Sequence, residues 1–306
     1  MTNSSILDRV SAPGGTPVKD PATGETIGHV MFDSAEAVGP AVKRAKAAQP
    51  AWAALGDAER CAVLLRAAEA VEANAEELAR LLSREQGKPL NGPNARFEVQ
   101  ACADWIKATA AIPFPSETIF DDGTTHAELT YRPIGVVGAV TPWNWPMMIA
   151  VWQLAASLRM GNTVVQKPSE YTALSGLALA TVLNEVLPQG VLTVVTGDGA
   201  VGEAIVCNPA VGKVMFTGST ATGKRVVAAS AQNISRLTLE LGGNDAGIVL
   251  PDVDPKAIAE GLFWGAFINT GQTCAAMKRL YVHDSVYDDI VTALANVAAV
   301  MPMGVG

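Results

Sequence analysis

The sequence predicts an α/β fold, a parallel sheet with helices packed on both of its faces. Three observations carry this. From Ile134 onward, short β-branched runs alternate with helix-length segments. The runs are apolar throughout rather than alternating, as in strands buried on both faces. The residues able to do chemistry fall just after the runs, where open α/β sheets bind ligands. With 306 residues, 49% of them hydrophobic, the chain has material for a buried core and about two domains.

Residues 1–20 read as loose. Pro21–Gly24 reads as a turn and Ile27–Phe32 as a strand. Asp33 and Glu36 have the spacing of a capping box, opening a helix through Trp52. A second helix follows Asp57. Leu64, Ala68, Val71, Ala75, Leu78 and Leu82 recur along it at three- and four-residue steps and make one buried stripe. Gly87 and Pro89 end it, and a third helix covers 95–111. Sheet strands are expected at Ile134–Val140, Thr163–Gln166, Leu192–Val195, Lys213–Phe216 and Ala246–Leu250. Helices are expected at 147–159, 172–186, 200–207 and 222–229. The uncharged stretch Ile134–Leu158 has the length of a membrane span, but Pro142, Asn144 and Pro146 interrupt it. A buried strand, a turn and a buried helix fit it better.

A net charge of −8 with no basic stripe argues against nucleic acid and anionic membranes as partners. The four cysteines, at 61, 102, 207 and 274, match no CxxC pair and no metal-ligand spacing, so no metal site is expected. The same cysteines, and a polar N-terminus without an apolar run, point to a reducing, cytoplasmic location.

Six segments could carry chemistry. Gly197-Asp198-Gly199-Ala200-Val201-Gly202 matches GxGxxG between a strand and a helix. No acidic residue closes the next strand, where position 217 is threonine, so a plain glycine-rich turn is an equal reading. In Phe216–Lys224, Ser219 is a good N-cap, and free N–H groups beside it would face an anion. It is not a phosphate-binding GxxxxGK[ST] loop, because Arg225 stands where Ser or Thr is required. Lys167 and Glu170 follow a strand and could hold ribose hydroxyls, or form an ordinary surface pair. Glu240 sits in an apolar run, either desolvated as a general base or facing outward on an alternating strand. Asn144, between two tryptophans and two prolines, is a rigid neutral donor or a turn residue. Cys274 is a reactive thiol or a buried inert one, while Cys61, Cys102 and Cys207 read as packing residues. His29, His126 and His283 lie outside every motif.

Taken together, TPWNWP (141–146), GNTVVQKPSE (161–170), FTGSTATG (216–223), LELGG (239–243) and FINTGQTC (267–274) resemble the NAD(P)-dependent aldehyde dehydrogenase superfamily, in its non-acylating, hydrolytic branch. The motifs come in family order over roughly residues 20–306. The resemblance implies a Rossmann-like sheet and roles residue by residue. Cys274 would be the nucleophile, forming a hemithioacetal and then a thioester. The Asn144 side-chain amide and the Cys274 backbone N–H would hold the oxyanion. Glu240 would activate the hydrolytic water and favours release of a free acid. NAD would lie along Thr141, Pro142, Trp143, Lys167, Pro168, Ser169, Glu170, Gly199, Gly218, Ser219, Thr222, Gly223 and Leu241. Glu170 favours NAD, with NADP as the alternative. The family places the pyrophosphate by Ser219, so the GxGxxG match is at most an adenine-side contact. The substrate would be a small aldehyde, and the full-length protein a homo-oligomer.

The implied division is a loose segment 1–20, an NAD-binding domain 21–240, and 241–306 as the start of a catalytic domain. Family members continue well past the Gly306 region, so a C-terminally truncated chain is expected, with a catalytically inactive NAD-binding fragment as the alternative function. Trp145, Met148 and Trp152 would wall a substrate funnel or, the favoured role, pack against the sheet.

Overall fold

The computed structural model describes residues 5–114 and 116–304. Its centre is a five-stranded, fully parallel sheet. The strands are β5 (Val136–Val140), β6 (Thr163–Lys167), β7 (Leu192–Val194), β8 (Val211–Gly218) and β9 (Arg236–Leu241). Their spatial order is β7-β6-β5-β8-β9. The helices between them are α6 (Pro146–Arg159), α7 (Ala173–Asn184), α8 (Gly199–Val206) and α9 (Thr220–Ser230). The chain steps outward from β5 to β7, then returns across β5 to β8. That reversal opens a crevice at the carboxyl ends of β5 and β8.

Two buried clusters explain the layers. On one face, Val137, Ala139 and Val164 pack with Met147 and Leu154 of α6 and Leu174 and Leu179 of α7. The same cluster takes in α3 (Asp57–Ala73), α4 (Ala75–Gln86) and α5 (Ala95–Ala111) through Leu64, Leu82 and Ile106. On the other face, Val136, Val165 and Val214 pack with Val42 of α2 (Val38–Ala54), Ile205 of α8 and Val226 of α9. The Ile134–Leu158 stretch is therefore a buried strand followed by a buried helix. The strand begins only at Val136, because Asn162 Oδ1 accepts from the N–H groups of Ile134 and Gly135.

Five expectations need correction. Residues 5–20 are not loose: α1 (Ile6–Val10) buries Ile6, and β1 (Thr16–Lys19) pairs antiparallel with β2 (Thr26–Val30). Asp33 forms no capping box, since its Oδ2 accepts from Thr196 N at 2.7 Å. The second helix is two, broken at Asn74, whose side chain turns back to donate to Ala70 O. A hairpin of β3 (Glu117–Asp121) and β4 (His126–Leu129), exposed along most of its length, has no counterpart in the expected elements. Finally, Ala246–Leu250 is not the fifth strand of the sheet. β9 takes that place, and β10 (Asp245–Val249) pairs instead with β11 (Met277–Val282) in a separate parallel pair. The turn through Gly242 and Gly243 carries the chain away from the main sheet. The connection from β10 to β11 is α10 (Pro255–Phe267) and the loop holding Cys274. α11 (Tyr287–Val300) follows.

Candidate functional site

A cleft of about 1110 Å³ lies at the carboxyl ends of the strands. Each strand of its floor delivers a segment singled out in the sequence. β5 supplies Thr141, Pro142, Trp143 and Asn144, and β6 supplies Lys167, Ser169 and Glu170. β8 supplies Gly218 and Ser219, with Thr222 one turn into α9, and β9 supplies Glu240 and Leu241. Gly199 comes from α8 and Cys274 from the loop after α10. Two expected site residues do not line the cleft. Pro168 faces α7, so tightly that a Cβ on Gly176 would lie 2.5 Å from its own. Gly223 is buried where α9 crosses β9, and a Cβ there would lie 2.7 Å from Leu241 Cδ2. Both shape the cleft from behind.

The two helix N-termini at the cleft differ in charge. On α8, the Asp198 carboxylate accepts from Ala200 N at 2.9 Å and so fills the place of an anion. On α9, the cap is the neutral Ser219 hydroxyl, which accepts from Thr222 N at 3.2 Å. The positive end of α9 is thus uncompensated by a cap charge, whereas that of α8 is not. In the GxGxxG segment, Gly197 is the glycine the backbone requires, with φ at +146°. At β6, burial pushes the Lys167 ammonium below its ordinary value, while Glu170, 3.4 Å away, opposes the shift. Thr141 is buried in the cleft lining, and its Oγ1 has no partner.

The Cys274 loop is fixed by hydrogen bonds. Asn144 Nδ2 donates to Gln272 O at 2.9 Å, and Trp145 Nε1 donates to Thr273 Oγ1 at 3.0 Å. Asn269, fully buried, donates through Nδ2 to Asn144 O at 2.8 Å and to Gln272 O at 3.2 Å. Asn269, Thr270 and Gly271 are all left-handed, at φ 53°, 54° and 79°. A β-branched residue in that region is strained, and these bonds hold it there. Cys274 is half-buried. Glu240, on the edge strand β9, is exposed rather than desolvated.

Sequence reasoning missed several members. Cys207 lines the cleft at the end of α8 instead of merely packing. Trp145 is buried beside the Cys274 loop, and Trp152 meets Trp105 of α5 at 5.1 Å between centroids in a tilted pair, so neither contact is the favoured packing against the sheet. Lys88 and Glu98 form a buried ion pair behind Asn144. Burial pushes the Glu98 carboxyl up and the Lys88 ammonium down, and their mutual attraction opposes both shifts. Lys88 lies in the loop between α4 and α5 and Glu98 in α5, and no sequence pattern pairs them. Among the described residues, no group of His, Cys, Asp and Glu is placed to hold a metal ion. No described helix is long and apolar enough to cross a membrane.

The aldehyde dehydrogenase family model matches residues 10–306. The chain is 40% identical to phenylacetaldehyde dehydrogenase of Pseudomonas fluorescens, over 94% of this chain and 60% of that protein. It is similar to the crystal structure of PnpE in complex with nicotinamide adenine dinucleotide, at TM-score 0.90 and 38% identity, over 96% of this chain and 61% of that one. It is similar also to an NADP-dependent enzyme of E. coli, at TM-score 0.90 and 37% identity, over 94% and 61%. The chain spans about 60% of the length of the curated relatives it matches. A family match over nearly the whole chain, on a fold shared with these structures, makes this chain a member of the aldehyde dehydrogenase family.

Proposed function

We propose that the chain carries the cofactor-binding and nucleophilic parts of an enzyme that oxidises a small aldehyde to its carboxylic acid, with NAD as hydride acceptor and NADP as the alternative. One observation carries this reading: Cys274, Asn144 and Glu240 share a single cleft with the Ser219 helix terminus and the Lys167–Glu170 pair. Residues 21–240 form the cofactor-binding part and residues from 241 open the catalytic part.

The residues present fit a dinucleotide. Thr141 Oγ1 is a buried polar atom without a partner, which a ligand hydroxyl would satisfy. A Cβ at Gly199 would meet nothing within 4 Å, which leaves the cleft open there to a ligand. Lys167 and Glu170 would hold ribose hydroxyls, and the carboxylate disfavours a 2′-phosphate. The first turn of α9 would hold the pyrophosphate, which Asp198 repels from α8. When bound, NAD supplies the acceptor for the hydride that leaves the aldehyde carbon.

The chain's own residues do the rest. The Cys274 sulfur attacks the aldehyde carbon, and a C–S bond forms as the carbonyl oxygen gains charge. The Asn144 amide has two N–H groups. One donates to Gln272 O, and the other would donate to the developing oxyanion. Glu240, exposed at the rim, takes the proton of the water that hydrolyses the thioester. Ile119, Phe120 and Leu129, exposed on the β3–β4 hairpin, support a homo-oligomer for the full-length protein.

The test is NADH formation with a panel of aliphatic and aromatic aldehydes, beside Cys274→Ala. Cysteine-dependent turnover is expected, and turnover surviving the substitution would sink the assigned nucleophile. A second reading is a module that binds NAD without turnover. Calorimetric NAD binding by a folded chain, with no NADH formed, would select that one.

A further inference from the structure

Lys88 and Glu98 lie outside every motif, yet both side chains are wholly excluded from solvent. Their other side-chain bonds run to the turn between β5 and α6 and to the first turn of α6. Lys88 Nζ donates to Asn144 O at 2.8 Å and stands 4.2 Å from the Trp145 ring centroid. Glu98 Oε1 accepts from Met147 N at 2.8 Å and from Met148 N at 3.1 Å, two donors of the first turn of α6. The pair therefore holds both ends of the turn. From the opposite side, Asn269 of the nucleophile loop donates to the same Asn144 carbonyl.

A buried ion pair is a poor source of stability, because desolvation offsets attraction, so the direction of its bonds is the informative feature. Apolar side chains of similar volume would fill this space. They would leave the Asn144 carbonyl held by Asn269 alone and the start of α6 uncapped, since Trp145 provides no side-chain cap. We infer that Lys88, with Glu98, is a positioning residue: it fixes the Asn144 peptide and thereby sets where the Asn144 amide meets the oxygen of a substrate bound at Cys274. The inference rests on the roles proposed above for Cys274 and Asn144.

Two reactions of Cys274 separate positioning from general structure. In the first, the thiolate attacks p-nitrophenyl acetate. The C–S bond forms through an oxyanion, the C–O bond breaks, and p-nitrophenolate leaves with the electron pair and is read by absorbance. In the second, the thiolate displaces iodide from iodoacetamide at a saturated carbon, with no oxyanion. Neither needs NAD. Asn144→Ala is expected to slow acylation about 100-fold. Lys88→Met combined with Glu98→Gln, which removes both charges together, is expected to slow it about 10-fold or more. Alkylation should stay within about threefold of the parent in the double variant. Glu98→Gln alone keeps an acceptor for α6 and is the milder variant, expected to slow acylation about threefold at unchanged alkylation. Parent-like acylation in a folded double variant, or in Glu98→Gln should the double variant not fold, overturns the proposal. So does a parallel fall in alkylation, which would mean a collapsed loop. If Asn144→Ala acylates normally, or the parent is alkylated but not acylated, the underlying reading fails and the inference falls with it.

Discussion

The part of the molecule before Gly242 and the part after it are built differently. The two buried clusters draw all their members from residues 6–241. Beyond that point the buried apolar residues are Val249, Ala259, Ala276, Ile290 and Ala293, mostly small. Ile248, Leu250, Phe267, Tyr281 and Val291 of the same part are exposed. Yet this thinly packed part carries Cys274. A core fixes elements by many weak contacts, while a loop can be fixed by a few directional ones. Here the directional ones are Asn144 to Gln272, Trp145 to Thr273, and Asn269 to Asn144. The nucleophile takes its placement from the other part of the chain.

This contrast can be broken or sharpened by experiment. The largest effect is expected in the packed part. Leu154, fully buried, should lose about 2–5 kcal/mol of stability as Leu154→Ala in urea denaturation. Ile248→Ala, at 73% exposure, should change it by no more than about 0.5 kcal/mol. Equal losses would erase the distinction.

The next effect is a pH dependence within the packed part. Glu85 of α4 is buried and accepts from Leu174 N and Ser175 N at the start of α7. Burial pushes its carboxyl from an ordinary 4.5 up to about 7. The folded state thus binds a proton that the unfolded state has released. The stability this confers is fully present below about pH 4.5 and is lost as pH rises through about 7. Its size is on the order of 3 kcal/mol, and Glu85→Gln should flatten that part of the stability–pH curve. A slope unchanged in the variant would assign the proton elsewhere.

Smaller effects address the bonds between the two parts. Thr273→Val removes the acceptor of Trp145 Nε1, worth about 1 kcal/mol. It should speed hydrogen exchange in 269–274 while leaving the central strands protected. Protection lost equally in β5 and β8 would mean that the loop and the sheet open as one unit. Ser219→Ala removes the cap of α9, costing about 1 kcal/mol of stability. It should also weaken NAD binding by calorimetry, and unchanged affinity would move the pyrophosphate away from α9.

Much of this was legible along the chain. Apolar runs marked β5, β6, β7 and β8 because buried parallel strands need no alternation. Most motif residues met in one cleft because they follow strands, and parallel strands end on one side, while Cys274 arrives from the loop after α10. Other features were not legible, for physical reasons that are local to each. Ala246–Leu250 has the apolar content of a sheet strand, but pairing depends on what lies beside it, and Met277–Val282 is that neighbour. For Glu240 the sequence left a desolvated and an outward-facing reading open, and the fold selects the outward-facing one. Asp33 has a capping spacing, but the distant Thr196 N–H competes for its oxygen. Pro168 and Gly223 sit beside residues that line the cleft, and only packing shows that these two turn away.

The sequence by itself determined the parallel α/β architecture, the family resemblance and the set of residues that gather at the strand ends, because periodicity and motif order are local properties of the chain. Only the tertiary structure decided which strand closes the sheet, which helix terminus is left without a charged cap, and that Lys88 and Glu98 grip the Asn144 turn. Those outcomes depend on pairings between segments far apart in the chain, such as Lys88 with a carbonyl 56 residues away, and no local pattern encodes which partner is reached.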